Sequence, residues 1–401
     1  MWQFVVKKDR SSNVNKTYLM KMMPVFYQAH LKSQLSRAEY LLLQILINVL
    51  QAIKNVSVEK LATALPLPIL FESRRKKIQR FLSQPNWNIE TIWFPIVRVW
   101  LDSYFTPGQV IYLVIDRTSW GCINLLMVSV VWEKRAIPIY FEQLPKLGNS
   151  NLAEQQAAIG QVLPLFKTYK TVVLGDREFC SVKLANWLKK QQAFFCLRLK
   201  KNEFIQGEIE IWYQLKDLGL SPGVSVFLQG VKVTKTQGFV RFNIASKWKR
   251  KYLGWTPEEG WFILTNLDSL QVAIQAYKQR FDIEEMFRDF KSGGYNLEGT
   301  HVSGERLISL ILLLAIAYSS ATLYGKKIKR MGIQNYVGRV KEYGRTQRRH
   351  SSFYIGLYSQ TWVYFRESCQ TLINQLMQLN LHKRLYYQRG MRAISLILST
   401  F

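Results

Sequence analysis

The sequence predicts an α/β protein in which a sheet-bearing centre follows a helical segment and precedes a basic, mainly helical tail. Three observations carry this expectation. Apolar residues recur at helical spacing through residues 15–100. From Gln109 the pattern changes to short continuous apolar runs separated by segments of helical period. The charge gathers at the ends: residues 1–100 hold 15 basic and 5 acidic side chains and residues 326–401 hold 14 and 2, within a net charge of +28.

In the first hundred positions an amphipathic stretch begins at Ser36, and Ser36 with Glu39 has the spacing of a capping box. A second helix follows from Val58, and Pro66 and Pro68 interrupt the pattern. The basic run Ser73-Arg74-Arg75-Lys76-Lys77-Ile78-Gln79-Arg80 then reads as a helix ended by Gln84-Pro85-Asn86. Val110–Ile115, Asn124–Val131 and Ile137–Phe141 read as three strands. Asn151–Phe166 reads as a helix, Thr171–Leu174 as a buried strand, Ser181–Gln191 as a helix and Ala193–Leu199 as a strand. Residues 203–266 are rich in strand and turn signals, at Glu208–Trp212, Ser225–Leu228, Val231–Val233, Phe239–Ile244 and Gly260–Thr265. The tail from Lys326 is basic and aromatic, helical in period from Cys369 to Leu381 and irregular from Arg345 to His350.

With 401 residues, 48% of them hydrophobic, the chain can bury a large core, which excludes a disordered polymer and suggests two or three domains. A field of +28 favours a polyanionic partner, nucleic acid foremost, over the plainer alternative of a solvated basic surface. Cys122, Cys180, Cys196 and Cys369 show neither CxxC spacing nor a disulfide framework, so zinc is not expected. The first residues hold no apolar run of signal-peptide length, and a reduced intracellular protein is the expectation. Leu307–Gly325 is uncharged and long enough to span a membrane, yet it carries six serine, threonine and tyrosine side chains and has no second comparable segment, so it reads as a core helix.

Chemistry concentrates in carboxylates. Asp116 and Asp176 each follow an apolar run, in Val114-Ile115-Asp116-Arg117-Thr118 and Gly175-Asp176-Arg177-Glu178-Phe179, where strand ends would present them at one edge of a sheet. Glu284 lies in Tyr277–Lys291, and on one continuous helix Tyr277, Arg280, Glu284, Arg288 and Lys291 would share an arc of roughly 80°. Asp282, Glu285 and Asp289 would point elsewhere, and ordinary i,i+4 ion pairs on a solvated helix are the alternative. Three converging carboxylates repel one another unless cations neutralise them, and hard divalent ions with oxygen ligands, Mg²⁺ or Mn²⁺, suit them. Two such ions about 3.5–4 Å apart are the means by which a hydroxyl is activated and a leaving oxygen stabilised in phosphoryl transfer.

Asp116 with Thr118, the element at 175–179, and the Y-x2-R-x3-E-x6-K pattern of Tyr277, Arg280, Glu284 and Lys291 together resemble the DDE transposases of insertion-sequence family four. The order of strands and helices is similar to that family's ribonuclease-H-like fold, including a β-rich insertion between the second Asp and the Glu. The resemblance covers nearly the whole chain. It implies a helical DNA-binding domain at 1–100, a catalytic domain at 101–202 and 267–325, a β-rich insertion at 203–266 and a basic C-terminal region at 326–401.

It further implies that Asp116, Asp176 and Glu284 bind two Mg²⁺ or Mn²⁺ ions, and that Tyr277, Arg280 and Lys291 contact phosphates of the element's ends. Arg288 is added from helical phase alone. Trp261, in Gly260-Trp261-Phe262, matches the position where such enzymes stack a flipped base, with core packing as an equal alternative and Trp255 as the neighbouring candidate. Arg74, Arg75, Lys76, Lys77 and Arg80 are candidates for end recognition, or a solvated face. The expected protein acts on double-stranded DNA as a homodimer, in the cytoplasm on DNA, with no membrane. A catalytically silent DNA-binding derivative is the alternative.

Overall fold

A computed structural model describes residues 23–206, 211–234, 240–250, 259–339, 343–344 and 349–400. Trp255 lies outside the described residues, as do residues 15–22 of the first helical stretch, 208–210 and 239 of two expected strands, and 345–348 of the irregular stretch.

The first described part is helical: α1 (Val25–Gln34), α2 (Arg37–Ile53), α3 (Val58–Ala64), α4 (Phe71–Leu82) and α5 (Phe94–Tyr104). The capping box at α2 forms as the spacing predicts, with Glu39 N–H donating to Ser36 Oγ at 3.3 Å and Ser36 N–H donating to Glu39 Oε2 at 2.8 Å.

The centre is mixed α/β. It runs β1 (Val110–Trp120), β2 (Ile123–Trp132), β3 (Arg135–Gln143), α6 (Leu152–Val162), β4 (Lys170–Gly175), α7 (Val182–Lys190) and β5 (Phe194–Arg198). This is the expected order of three strands, helix, strand, helix and strand. β1 pairs antiparallel with β2 and parallel with β4, and β4 pairs parallel with β5.

The strands β6 (Phe204–Gln206), β7 (Trp212–Gln214), β8 (Ser225–Val233), β9 (Arg241–Lys247) and β10 (Trp261–Thr265) do not form a sheet of their own. β10 pairs antiparallel with β5, so among the described residues one ten-stranded sheet runs in the order β3-β2-β1-β4-β5-β10-β9-β8-β6-β7.

After β10 come α8 (Leu270–Lys278), α9 (Phe281–Phe290), α10 (Glu305–Arg330), α11 (Ser352–Ser368), α12 (Gln370–Leu379) and α13 (Arg384–Leu398). The single helix expected across Tyr277–Lys291 is interrupted. Gln279, Arg280, Asp282 and Ile283 donate their N–H groups to carbonyls three residues back, which tightens the turn between α8 and α9. Tyr277 and Arg280 are thereby both drawn inside, and they do not share a solvent-facing stripe with Arg288.

The core is organised around α10. It is long and apolar enough to cross a membrane, but 89% of its apolar window is buried by protein, so packing accounts for its composition. β3, α2, α4 and α11 all pack on it. The N-terminal helices are tied to it by polar contacts as well: Tyr27 Oη–H donates to Ser319 Oγ at 2.9 Å, Gln51 Nε2 to the Ala317 carbonyl at 2.8 Å, and Trp87 Nε1 to the Ser309 carbonyl at 2.9 Å. Each buried donor thus finds a partner on a helix far along the chain.

Candidate active site

The register of β1 against β4 fixes the first two acids. Their ladder ends at the pair Val114 and Leu174, and Asp116 and Asp176 each lie two residues further on. Asp176 immediately follows β4, as expected. Asp116 does not end its strand, because β1 continues to Trp120 on its pairing with β2, where Asp116 faces Met127. What ends near Asp116 is the parallel pairing, and that leaves its carboxylate beyond the last β1–β4 pair, within electrostatic reach of Asp176.

Glu284 comes from the first turn of α9, and Arg280 joins it to the strand. One terminal guanidinium nitrogen of Arg280 donates to Asp116 Oδ2 at 3.2 Å, and the other donates to Glu284 Oε1. Arg280 is 7% exposed, whereas the Glu284 side chain is 52% exposed, so the arginine is the fixed member and the glutamate the free one. The backbone holds the aspartates: Arg117 N–H donates to Asp116 Oδ1 and Glu178 N–H to Asp176 Oδ1, each at 2.8 Å.

Electrostatics connect the three acids. Burial pushes the Asp116 carboxyl up to about 7; Arg280 and the Arg117 N–H oppose this, and the charges of Asp176 and Glu284 add to it. Among the described residues no three His, Cys, Asp or Glu side chains converge closely enough to chelate an ion as they stand. The donor set nonetheless has the chemistry of a divalent-ion site, since it consists of carboxylate oxygens whose mutual repulsion a cation would relieve.

The other predicted residues are distributed around this edge. Tyr277 is fully buried beside Arg198 and Arg280, and burial raises its phenol to about 12 against the pull of both cations. Its ring meets Trp261 edge-on at 5.2 Å. Trp261, at the start of β10, is half-buried, with Phe281 at 5.7 Å and the Lys249 ammonium 5.2 Å from its ring centre. Lys291 pairs with Glu298 at 2.7 Å, and exposed Arg288 pairs with Glu285. Glu285 and Asp289 turn away from the site, as expected, towards Arg135 at 3.3 and 2.8 Å.

In α4 the basic residues divide. Arg74 donates to the carbonyls of Thr63 at 3.4 Å and Leu65 at 3.1 Å, and Arg75 pairs with Glu72 at 3.0 Å. Lys76, Lys77 and Arg80 face solvent. A cleft of about 1050 Å³ opens between α4 and the start of α10, but none of the three acids lines it.

Two features escape a reading of the sequence. Arg117 and Glu178 form an ion pair at 3.0 Å beside the aspartates. Arg198, at the end of β5, reaches Glu259 at 2.7 Å, and Arg177 reaches the same carboxylate. Arg177 and Glu178 lie inside the element at 175–179 and Arg117 beside Asp116, but nothing in the sequence pairs these side chains with one another or with Arg198 and Glu259.

No curated protein matches this sequence. A piggyBac transposase synaptic complex with hairpin DNA, solved by electron cryo-microscopy, aligns with 95% of this chain and 83% of its own at 13% identity and a TM-score of 0.44. Residues 146–319, which include Asp176 and Glu284, match the family model described as a transposase DDE domain, and this match supports a DDE transposase.

Proposed function

We propose that this protein binds the terminal inverted repeats of its own insertion sequence, cleaves the DNA ends and joins their 3′-hydroxyls to target DNA. In this reading it is a member of insertion-sequence family four with a ribonuclease-H-like core. The observation that carries it is the placement of Asp116 and Asp176 at equal distances beyond the last β1–β4 pair, with Glu284 linked to Asp116 through Arg280.

Asp116, Asp176 and Glu284 would hold the divalent ions, probed first as Mg²⁺ or Mn²⁺. When bound, such ions supply activation of the attacking oxygen and stabilisation of the leaving one. Arg280 meanwhile neutralises two of the acids and keeps α9 against β1. Lys291 and Arg288, near the end of α9, would meet phosphates in place of Glu298 and Glu285, as would Arg280 once its carboxylates have another counter-charge. Trp261 offers a half-exposed ring to an extruded base, although its contacts with Tyr277 and Phe281 also make it part of the packing.

In α4, Lys76, Lys77 and Arg80 are the residues for the DNA backbone, with Arg74 and Arg75 shaping the helix that carries them. The net charge of +28 suits DNA at both flanks. A homodimer would use α12, none of whose residues is buried and whose Leu372, Leu376 and Leu379 are exposed. The protein would work in the cytoplasm, on DNA.

The test uses the DNA that flanks the coding region. Asp116→Asn, Asp176→Asn and Glu284→Gln should each reduce strand cleavage in Mg²⁺ by more than about 100-fold. Binding to the same DNA should persist, and Glu285→Gln should still cleave. If unsubstituted protein binds the ends and never cuts them, it is a silent DNA-binding derivative.

A further inference from the structure

We infer that Arg117 and Glu178 are a positioning pair that sets Asp116 and Asp176 at a fixed separation. The inference rests on the reading of those aspartates as ion ligands. Beyond Val114 and Leu174 the backbone pairing of β1 and β4 stops, so another link must hold the two acids in register. The ion pair is that link. Arg117 Nε donates to both Glu178 oxygens, at 3.0 and 3.1 Å, and the two side chains are only 16% and 12% exposed.

Each partner is braced in turn. Glu178 Oε1 accepts from the Ser150 N–H and the Ser150 hydroxyl, both at 2.8 Å. The terminal nitrogens of Arg117 donate to Asn124 Oδ1 at 2.9 Å and Asn149 Oδ1 at 3.3 Å. Asn124 Nδ2 then donates to the carbonyls of Lys146 at 2.6 Å and Gly148 at 2.9 Å. The pair therefore joins β1, the start of β2, the loop before α6 and the turn after β4. A planar guanidinium held in this way has little rotational freedom.

The same two residues orient the carboxylates with their own backbone N–H groups. A shift of Arg117 or Glu178 therefore moves the main chain that holds Asp116 or Asp176. Partners of this kind set ligand geometry without touching the ion, and their loss lowers metal affinity by about 10–100-fold.

The experiment compares full-length wild type, Glu178→Gln, Arg117→Lys and Asp116→Asn in three measurements: Mn²⁺ binding by electron paramagnetic resonance without DNA, thermal melting, and the Mg²⁺ concentration for half-maximal cleavage. Glu178→Gln and Arg117→Lys should weaken Mn²⁺ binding by about 10–100-fold. They should raise the half-maximal Mg²⁺ concentration by a similar factor, and excess Mg²⁺ should restore most of the cleavage. A merely structural pair would lower the melting temperature while the folded protein bound Mn²⁺ like wild type, and that result overturns the inference. If Glu178→Gln does not fold, Arg117→Lys, which keeps the charge and loses the guanidinium that reaches Glu178, Asn124 and Asn149 at once, decides on the same criterion. If Asp116→Asn itself binds Mn²⁺ like wild type, the ion-site reading fails, and the inference fails with it.

Discussion

Asp116 is a carboxylate placed where its charge is costly. Its carboxyl titrates near 7, far above the ordinary 3.8, chiefly because it is buried. The ion-free folded protein therefore holds a proton that the unfolded chain has released across this window, and the contribution of this group to stability falls as pH rises from about 4 to about 7. Asparagine at 116 removes that dependence and leaves Arg280 paired with Glu284. In chelator, Asp116→Asn should be more stable than wild type by about 1–3 kcal/mol above pH 7, and the advantage should vanish near pH 4. Melting curves across that range check it, and parallel curves for the two proteins would contradict it. At this scale the place of each aspartate next to a strand was legible, because each follows a short apolar run of strand length. The Arg117–Glu178 pair was not, because its members lie 61 positions apart and meet only through the parallel pairing of β1 with β4.

The elements that set the site are α9 and the packing beneath it. Arg135 on β3 reaches Asp289 at 2.8 Å and Glu285 at 3.3 Å, and the Tyr318 hydroxyl on α10 donates to Asp289 at 3.4 Å, so α9 is tied to both the sheet and the core helix. α10 is held by α11 at a crossing where Gly325 and Gly356 let the backbones touch. A methyl group on Gly356 would meet the Ala321 carbonyl, and one on Gly325 would meet the Ser352 carbonyl. Main-chain atoms cannot rotate away as a side-chain tip can. Gly356→Ala should therefore destabilise the fold by about 1–3 kcal/mol or more, read as a lower melting temperature, and an unchanged melting temperature would show that the helices can separate freely. The strands and helices of residues 110–198 were legible from their change of hydrophobic period. The break between α8 and α9 was not, because Tyr277 and Arg280 keep helical phase in sequence while tighter hydrogen bonds turn both inward.

For the molecule as a whole, one sheet and one buried helix join segments that the sequence presents as separate. Residues 203–266 read as rich in strand signals, and antiparallel pairing of β10 with β5 joins their described strands to the central sheet. The N-terminal helices read as a module of their own, yet their side chains end on α10, since local periodicity reveals a buried face and not what covers it. On the proposed function, strands and helices so distant in sequence bring Asp116, Asp176 and Glu284 to one divalent-ion site. The most direct test replaces Mg²⁺ with Fe²⁺ and adds hydrogen peroxide with ascorbate, so that peroxide reduced by the bound Fe²⁺ gives hydroxyl radicals that cut the nearest backbone while ascorbate returns Fe³⁺ to Fe²⁺, and maps the fragments. Cuts are expected close to residues 116, 176 and 284, suppressed by excess Mg²⁺ and diminished in Asp116→Asn. Cuts confined to other parts of the chain, or cuts at these positions indifferent to both changes, would contradict it.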